Sequence, residues 1–241
     1  MSAQVHRIDP TVFARWPGYC RGIVAVRGAR NGPSSPALIE TLRQTEAGLR
    51  SRTAGRAVTD VPEIAAWREA FRAFGAKPAE HRSAIEALSR RVLRPDTLPH
   101  INALVDIGNI VSLRHLLPAG VHPLPGTPTP LELRPARDGD RFEPADGGDT
   151  EAPPPDEIVF CQGSQVLTRR WTWRQGAGTQ TLPSTSAVFF NIDGLPPVTA
   201  DRVRLAMQDI VTLVEQETGG QIVCCAVLDA AHPTLTLSIE S

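Results

Sequence analysis

One stretch limits the fold of this chain more than any other: residues 101–113, INALVDIGNIVSL. It sets Asn102, Asp106 and Asn109 among Ile101, Leu104, Val105, Ile107, Ile110, Val111 and Leu113. The apolar majority predicts a helix buried against the rest of the chain, over 98–117. Pro95 and Pro99 lie at its start and Pro118 stops it. Amides and carboxylates buried there without partners cost roughly 1–3 kcal/mol each. Either they hold neighbouring loops by hydrogen bonds or they line a pocket.

The rest of the chain reads as elements arranged around that helix. The domain opens at Phe13, and Ile23–Val26 is a short buried strand. A helix over 37–52 carries Leu38, Leu42 and Leu49 on one face, with Pro36 at its first position. A helix over 61–74 follows, with Asp60 as N-cap and Pro62 just inside. Its stripe is Ile64, Trp67, Ala70, Phe71 and Phe74, and Gly75 ends it. The helix over 83–93 turns Ile85, Leu88 and Val92 inward and Arg82, Arg90, Arg91 and Arg94 outward. Residues 119–130, AGVHPLPGTPTP, are dense in Pro and Gly and predict irregular chain. Strands are predicted over 131–134, 157–161, 165–174 and 186–192, with 179–182 pairing back and Asp193-Gly194 ending the last of them. A helix over 199–218 and strands over 221–228 and 235–239 complete the chain. Helices lead and strands follow, with strands at both ends, which points to one mixed α/β domain over residues 1–241.

Composition narrows the function classes. The chain has 241 residues, 41% hydrophobic, with a net charge of -1, so it has a core to bury and no global pull toward nucleic acid. The Arg82–Arg94 cluster is a local candidate for a phosphate-contacting face, set against a solvated face with carboxylate partners. No apolar run approaches the ~20 residues that span a bilayer, and the N-terminus lacks the apolar core of a signal peptide. Cys20, Cys161, Cys224 and Cys225 form no CxxC pair, which suggests free thiols in a reducing cytoplasm. There is no phosphate loop, dinucleotide fingerprint, HExxH or GxSxG. The six histidines lack zinc-ligand spacing, so neither metal nor other cofactor is expected. What remains is polar chemistry in apolar surroundings: Asn102, Asp106, Asn109, His122, Glu157, and the run from Thr168 to Gln175. Strand alternation would put Arg170, Thr172 and Arg174 on one side and Arg169, Trp171, Trp173 and Gln175 on the other. The two tryptophans would then either stack on a base or plug the sheet against a helix.

At INALVDIGNIVSL the chain resembles the VDxTN segment of the editing domain, the B3/B4 region, of the phenylalanyl-tRNA synthetase beta subunit. GVHPLP (Gly120 to Pro125) is similar to the GxPxHxFD stretch of that domain. LELRPARDGDRF (131–142) and EIVFCQGSQVLTRR (157–170) are similar to its following strands, and the likeness runs over roughly 70–195. Free-standing proteins carrying only this domain are closer still. The resemblance implies a three-layer α/β (α+β) domain with packed β-sheets and outer helices. It also implies hydrolysis of misacylated aminoacyl-tRNA by a positioned water, with tRNA or a free amino acid as partner and no membrane. By position, Asn109 and His122 match polar residues of the family's motifs, and these two with Glu157 are the expected catalytic set. Asn102, Asp106, Arg169, Arg170, Trp171, Trp173, Arg174 and Gln175 are the expected substrate-binding set. Gly108 stands where the family motif has Thr, which removes a hydroxyl that would orient water. No aminoacylation core is present, so ligase activity is not expected. The alternative is a binding module for an acceptor end or an amino acid, without turnover.

Overall fold

The computed structural model describes residues 2–94 and 97–239; Pro95 lies outside the described residues. The first half of the chain runs β1 (Ser2–Ile8), α1 (Pro10–Arg15), β2 (Cys20–Arg27), α2 (Pro36–Arg52), α3 (Pro62–Ala73), α4 (Ala84–Val92) and α5 (Ala103–His115). The second half runs β3 (Ala119–Pro123), β4 (Leu131–Pro135), β5 (Ile158–Gln162), β6 (Gln165–Arg169), β7 (Arg174–Gln175), β8 (Val188–Gly194), α6 (Ala200–Thr218), β9 (Gln221–Leu228) and β10 (Thr234–Ile239). Six strands form one sheet in the order β10-β1-β4-β5-β6-β7, and four form another in the order β3-β8-β2-β9.

The two faces of the four-stranded sheet set the layers. Gly22 of β2 and Gly194 of β8 back onto α6. A methyl group on Gly22 would lie 2.6 Å from the Met207 sulfur, and one on Gly194 would lie 2.7 Å from Val203. Both positions have to be small for the helix to lie this close. On the opposite face the guanidinium of Arg21 sits 4.8 Å over the Phe160 ring of β5. There, too, Phe189 of β8 meets His6 of β1 edge-on at 4.8 Å. The chain is therefore a mixed α/β structure in three layers: α5 and α6 with α2 behind them, the four-stranded sheet, and the six-stranded sheet. One apolar cluster runs through all of it, from Ile8 to Leu237. Leu38, Leu42 and Leu49 of α2 are fully buried in that cluster, each contributing about 1.5–3 kcal/mol. A small second cluster of Phe142, Val159, Cys161 and Val166 lies on the far side of the six-stranded sheet.

Several local expectations change. β1 was not anticipated, because its buried positions are Gln4, His6 and Ile8, and that alternation is not apolar. It is a central strand, parallel to β4 and antiparallel to β10. Residues 119–123 form a strand despite their prolines. β3 is an edge strand pairing only with β8, and Pro123 closes it. Asp60 does not cap α3; it lies in a 3-10 turn (Val58–Asp60), and Val61 is the cap. Residues 179–182 form no strand. The predicted strand over 165–174 breaks after Arg169. Arg170 and Trp171 both take left-handed backbone, with φ of 45° and 63°, a costly conformation for bulky residues. The chain re-pairs only at Arg174–Gln175.

A candidate polar cavity between helix and sheet

A cavity of about 550 Å³ opens where α5, β3, β8 and the 171–183 segment meet. Its floor comes from strand alternation. Asn191 and Asp193 share a face of β8, opposite Gly120 of β3 and Arg21 of β2 respectively. His122 of β3 lies opposite Phe189. Its ring stacks on Phe189 at 5.2 Å and meets Phe160 edge-on at 5.5 Å. Val105 and Asn109 of α5, with Asn102 at its N-cap, form one wall. Trp171, Thr172, Trp173, Arg174 and Gln175 form another, and Gln180 to Pro183 shape the rim. At the mouth stand two exposed apolar side chains, Ile101 and Leu182.

The electrostatics of the floor are those of a locked ion pair and a neutral histidine. The Asp193 carboxylate, fully buried, accepts from Arg21 Nε at 2.7 Å and the other arm of its guanidinium at 3.1 Å. It also accepts from the Tyr19 hydroxyl at 2.5 Å and from Asn191 Nδ2 at 3.1 Å. Burial works against the Arg21 charge, but Asp193, Tyr19 and their hydrogen bonds carry its pKa above the usual value. Burial also pushes the Tyr19 hydroxyl well up, against the Arg21 charge. His122 is the opposite case. Burial, with the Arg21 charge and His6 acting the same way, lowers its pKa to about 3, so the ring is neutral at any ordinary pH. Gln175 Nε2 donates to Val121 O at 3.1 Å and lies 3.2 Å from His122 Nδ1.

One acceptor in this floor is unused. Asn191 Oδ1 is buried without a hydrogen-bond partner. Gly120 packs directly beside it: a methyl group there would lie 2.9 Å from Asn191 Oδ1 and 3.4 Å from His122 Nε2, so no side chain fits unless Asn191 shifts. The Thr172 hydroxyl, in the adjoining wall, is buried and unpartnered too. Buried polar atoms are nearly always satisfied, so these two, lining a cavity, are open to a hydrogen bond from a ligand or water.

The structure divides the residues singled out from sequence. Asn109, His122, Trp171, Trp173, Arg174 and Gln175 line the cavity. Asn102 lines it and also works structurally. Its Oδ1 accepts from Val105 N at 3.1 Å to cap α5, and its Nδ2 donates to Thr181 O at 2.8 Å. Asp106 is not in the cavity lining. Its buried carboxylate accepts from Ser34 Oγ at 2.6 Å and Ile101 N at 3.3 Å, with His100 Nδ1 at 3.0 Å, and ties two loops to the helix. Gly108 is not in the lining either. It faces Ala119 O, 3.4 Å from where a methyl group would stand, so what it serves is helix–sheet packing. The shared face expected for the two tryptophans is lost with the strand break. Trp171 is buried against Trp16, Tyr19 and Trp67 at 4.8–5.1 Å. Trp173 rests on His81 and carries the Arg170 guanidinium 4.3 Å over its ring.

Glu157, Arg169 and Arg170 lie outside the cavity lining. Glu157 is buried in a bidentate pair with Arg169, at 2.9 and 2.7 Å, and accepts from Arg170 N at 3.1 Å. Arg169 also pairs with Glu151. With both oxygens committed, Glu157 holds the left-handed turn in shape. Glu157→Gln is expected to lower the unfolding free energy by about 3 kcal/mol, since it strips Arg169 of its buried counter-charge. Ligand affinity per folded molecule should stay unchanged, as measured by urea unfolding and equilibrium binding on the same variant.

Sequence reasoning missed Tyr19, Arg21, Gly120, Asn191 and Asp193. A signal was available for two of them: Asn191 and Asp193 are spaced by two in an otherwise apolar strand. Polar side chains on one face of a buried strand need a partner or a ligand there. Among the described residues, no group of three or more His, Cys, Asp or Glu could hold a metal ion. All four cysteines are free, and none lines the cavity. No described helix is long and apolar enough to cross a membrane.

Comparison with known proteins adds a family. A model of the B3/4 domain matches residues 66–219. No curated protein matches. Among solved structures, the chain is similar to an N-terminal fragment of the phenylalanyl-tRNA synthetase beta subunit from Pyrococcus horikoshii. The TM-score is 0.47 at 12% identity, over 91% of this chain and 50% of that one. The chain thus spans half the length of that fragment.

Proposed function

This chain belongs to the B3/4 domain family, and from that premise we propose that its cavity receives the aminoacyl end of a tRNA and hydrolyses the ester with a water held there. The observation that carries this reading is the unpartnered Asn191 Oδ1, which lines the cavity together with Gly120 and His122. The lining has no Ser, Cys or Lys, and its threonine hydroxyls, Thr168, Thr172 and Thr181, have no hydrogen bond to a histidine or carboxylate among the described residues, so none is activated for a covalent route. An aminoacyl ester is already activated. Placing a water and offering hydrogen bonds to the developing oxyanion is then enough. Asn191 Oδ1 and neutral His122 orient the water, and the Asn109 amide stabilises the oxyanion. Ile101 and Leu182 at the mouth give a terminal base an apolar surface.

The experiment is release of amino acid from a panel of mischarged tRNAs, tyrosine on the phenylalanine tRNA included. Release from at least one pair is expected. No release anywhere, beside an active synthetase editing domain, would sink the hydrolytic reading. Gly120→Ala is expected to reduce the rate at least tenfold, because its methyl group would push the Asn191 amide out of the position from which Oδ1 meets the water. Its cost in stability should be near 1 kcal/mol, read from the denaturant midpoint.

A second reading has its own observation. Asp193 is fully committed and the His122 pKa is about 3, so no group in the floor readily takes a proton from water. Under that reading the cavity binds an acceptor end or a free amino acid without turnover. Tight binding by equilibrium dialysis with no release would select it.

A further inference from the structure

Beside α4 lies a groove of about 590 Å³, lined by Arg82, Arg90, Arg91 and Arg94 with Val58 and Thr97. We propose that this groove binds the phosphate backbone of the RNA whose end enters the cavity, and this rests on the reading above. The charges are arranged unequally. Glu86 of α4 is buried and shared by Arg90 at 3.0 Å and Arg68 at 2.7 Å, so Arg90 is fixed by a protein partner. Arg82, Arg91 and Arg94 are exposed, and none has a carboxylate partner among the described residues. Three unpaired guanidinium groups along one groove make a positive field in a chain whose net charge is -1. Planar forked donors of this kind suit phosphate oxygens.

Placement links groove and cavity. α4 begins at Ala84, which lines the cavity, and Arg82 lies two residues before it. The backbone N–H of Ala84 donates to Thr172 O at 2.7 Å, fixing the start of the helix to the cavity wall. The groove then follows α4 from Arg82, before its start, to Arg94, past its end, along nine helical residues and about 13 Å of rise. A strand with its terminal residue in the cavity would run its next phosphates along these arginines.

The test uses the full chain and uncharged tRNA, which separates the groove from any chemistry in the cavity. Binding is followed by fluorescence anisotropy across a salt series. The triple variant Arg82→Gln, Arg91→Gln, Arg94→Gln changes only exposed side chains and leaves Arg90 with Glu86. It is expected to weaken tRNA binding at least tenfold and to reduce the slope of log affinity against log salt by about 2–3. Arg204→Gln, on α6, should leave both unchanged. Unaltered affinity and slope in the triple variant would overturn the proposal, as would a wild-type chain that binds no tRNA. If wild type binds tRNA and the triple variant does not, but no ester is cleaved, the groove stands and the hydrolytic reading falls.

Discussion

On lowering the pH from 7.5 to about 5 this protein is expected to lose on the order of 4 kcal/mol of unfolding free energy. The source is two buried histidines between the sheets. Burial, reinforced by the Arg21 charge, lowers the pKa of His6 from 6.5 to about 3. Burial, then Arg21 and His6, lowers that of His122 to the same value. In the folded chain both rings therefore stay neutral down to about pH 3, while in the unfolded chain each takes up a proton near 6.5. Protons bind the unfolded state more, so acid favours unfolding. The stability is fully present above pH 6.5 and drains as pH falls from there toward 3. This window opens above the range in which paired carboxylates protonate. Urea midpoints at pH 7.5 and 5 measure it, and equal midpoints would contradict the burial argument. His122→Gln should halve the slope of stability against pH, leaving the His6 part.

Asp193→Ala is expected to destabilise by about 4 kcal/mol, the largest effect of any substitution at the floor. Removing this carboxylate leaves the Arg21 guanidinium buried with no counter-charge, and strips the Tyr19 hydroxyl and the Asn191 amide of their acceptor. Asp193→Asn should recover only a small part, because shape returns without charge. The double variant Arg21→Met, Asp193→Leu should recover much more, since removing both ions relieves the desolvation that each imposes alone. Denaturant unfolding of the three variants decides it. A single Asp193→Ala that unfolds like wild type would mean the pair is solvated in solution.

The layer architecture was legible where apolar residues repeat at helical spacing. α2 and α6 begin within one residue of the positions read from sequence, and Ser35 and Thr199 cap them. The polar residues of α5 signalled both roles allowed for them: Asn109 faces the cavity and Asp106 holds loops. Sequence could not say which residue did which, because that depends on partners as distant as Ser34. β1 escaped because its inward side chains are polar. The Arg170–Trp171 turn escaped because neither residue type favours left-handed backbone; the buried pair of Glu157 and Arg169 imposes it. Asp193-Gly194 was read as a strand end for the ordinary reason that Asp-Gly marks turns. Here the aspartate answers Arg21 across the strand pair and the glycine makes room for α6.

The floor and the rim of the cavity are built from different kinds of chain. Gly120, His122, Asn191 and Asp193 are fixed by strand register, and His122 also meets Phe160 of the other sheet. Gln180, Leu182 and Pro183 lie on an exposed connection held by Asn31 to Leu182 O and Asn102 to Thr181 O, each 2.8 Å, and by Thr181 Oγ1 to Val121 O at 3.4 Å. None of these tethers uses the side chains of Gln180, Leu182 or Pro183. Substitutions at the rim can therefore change what the mouth admits while leaving the floor and the fold's integrity as they are.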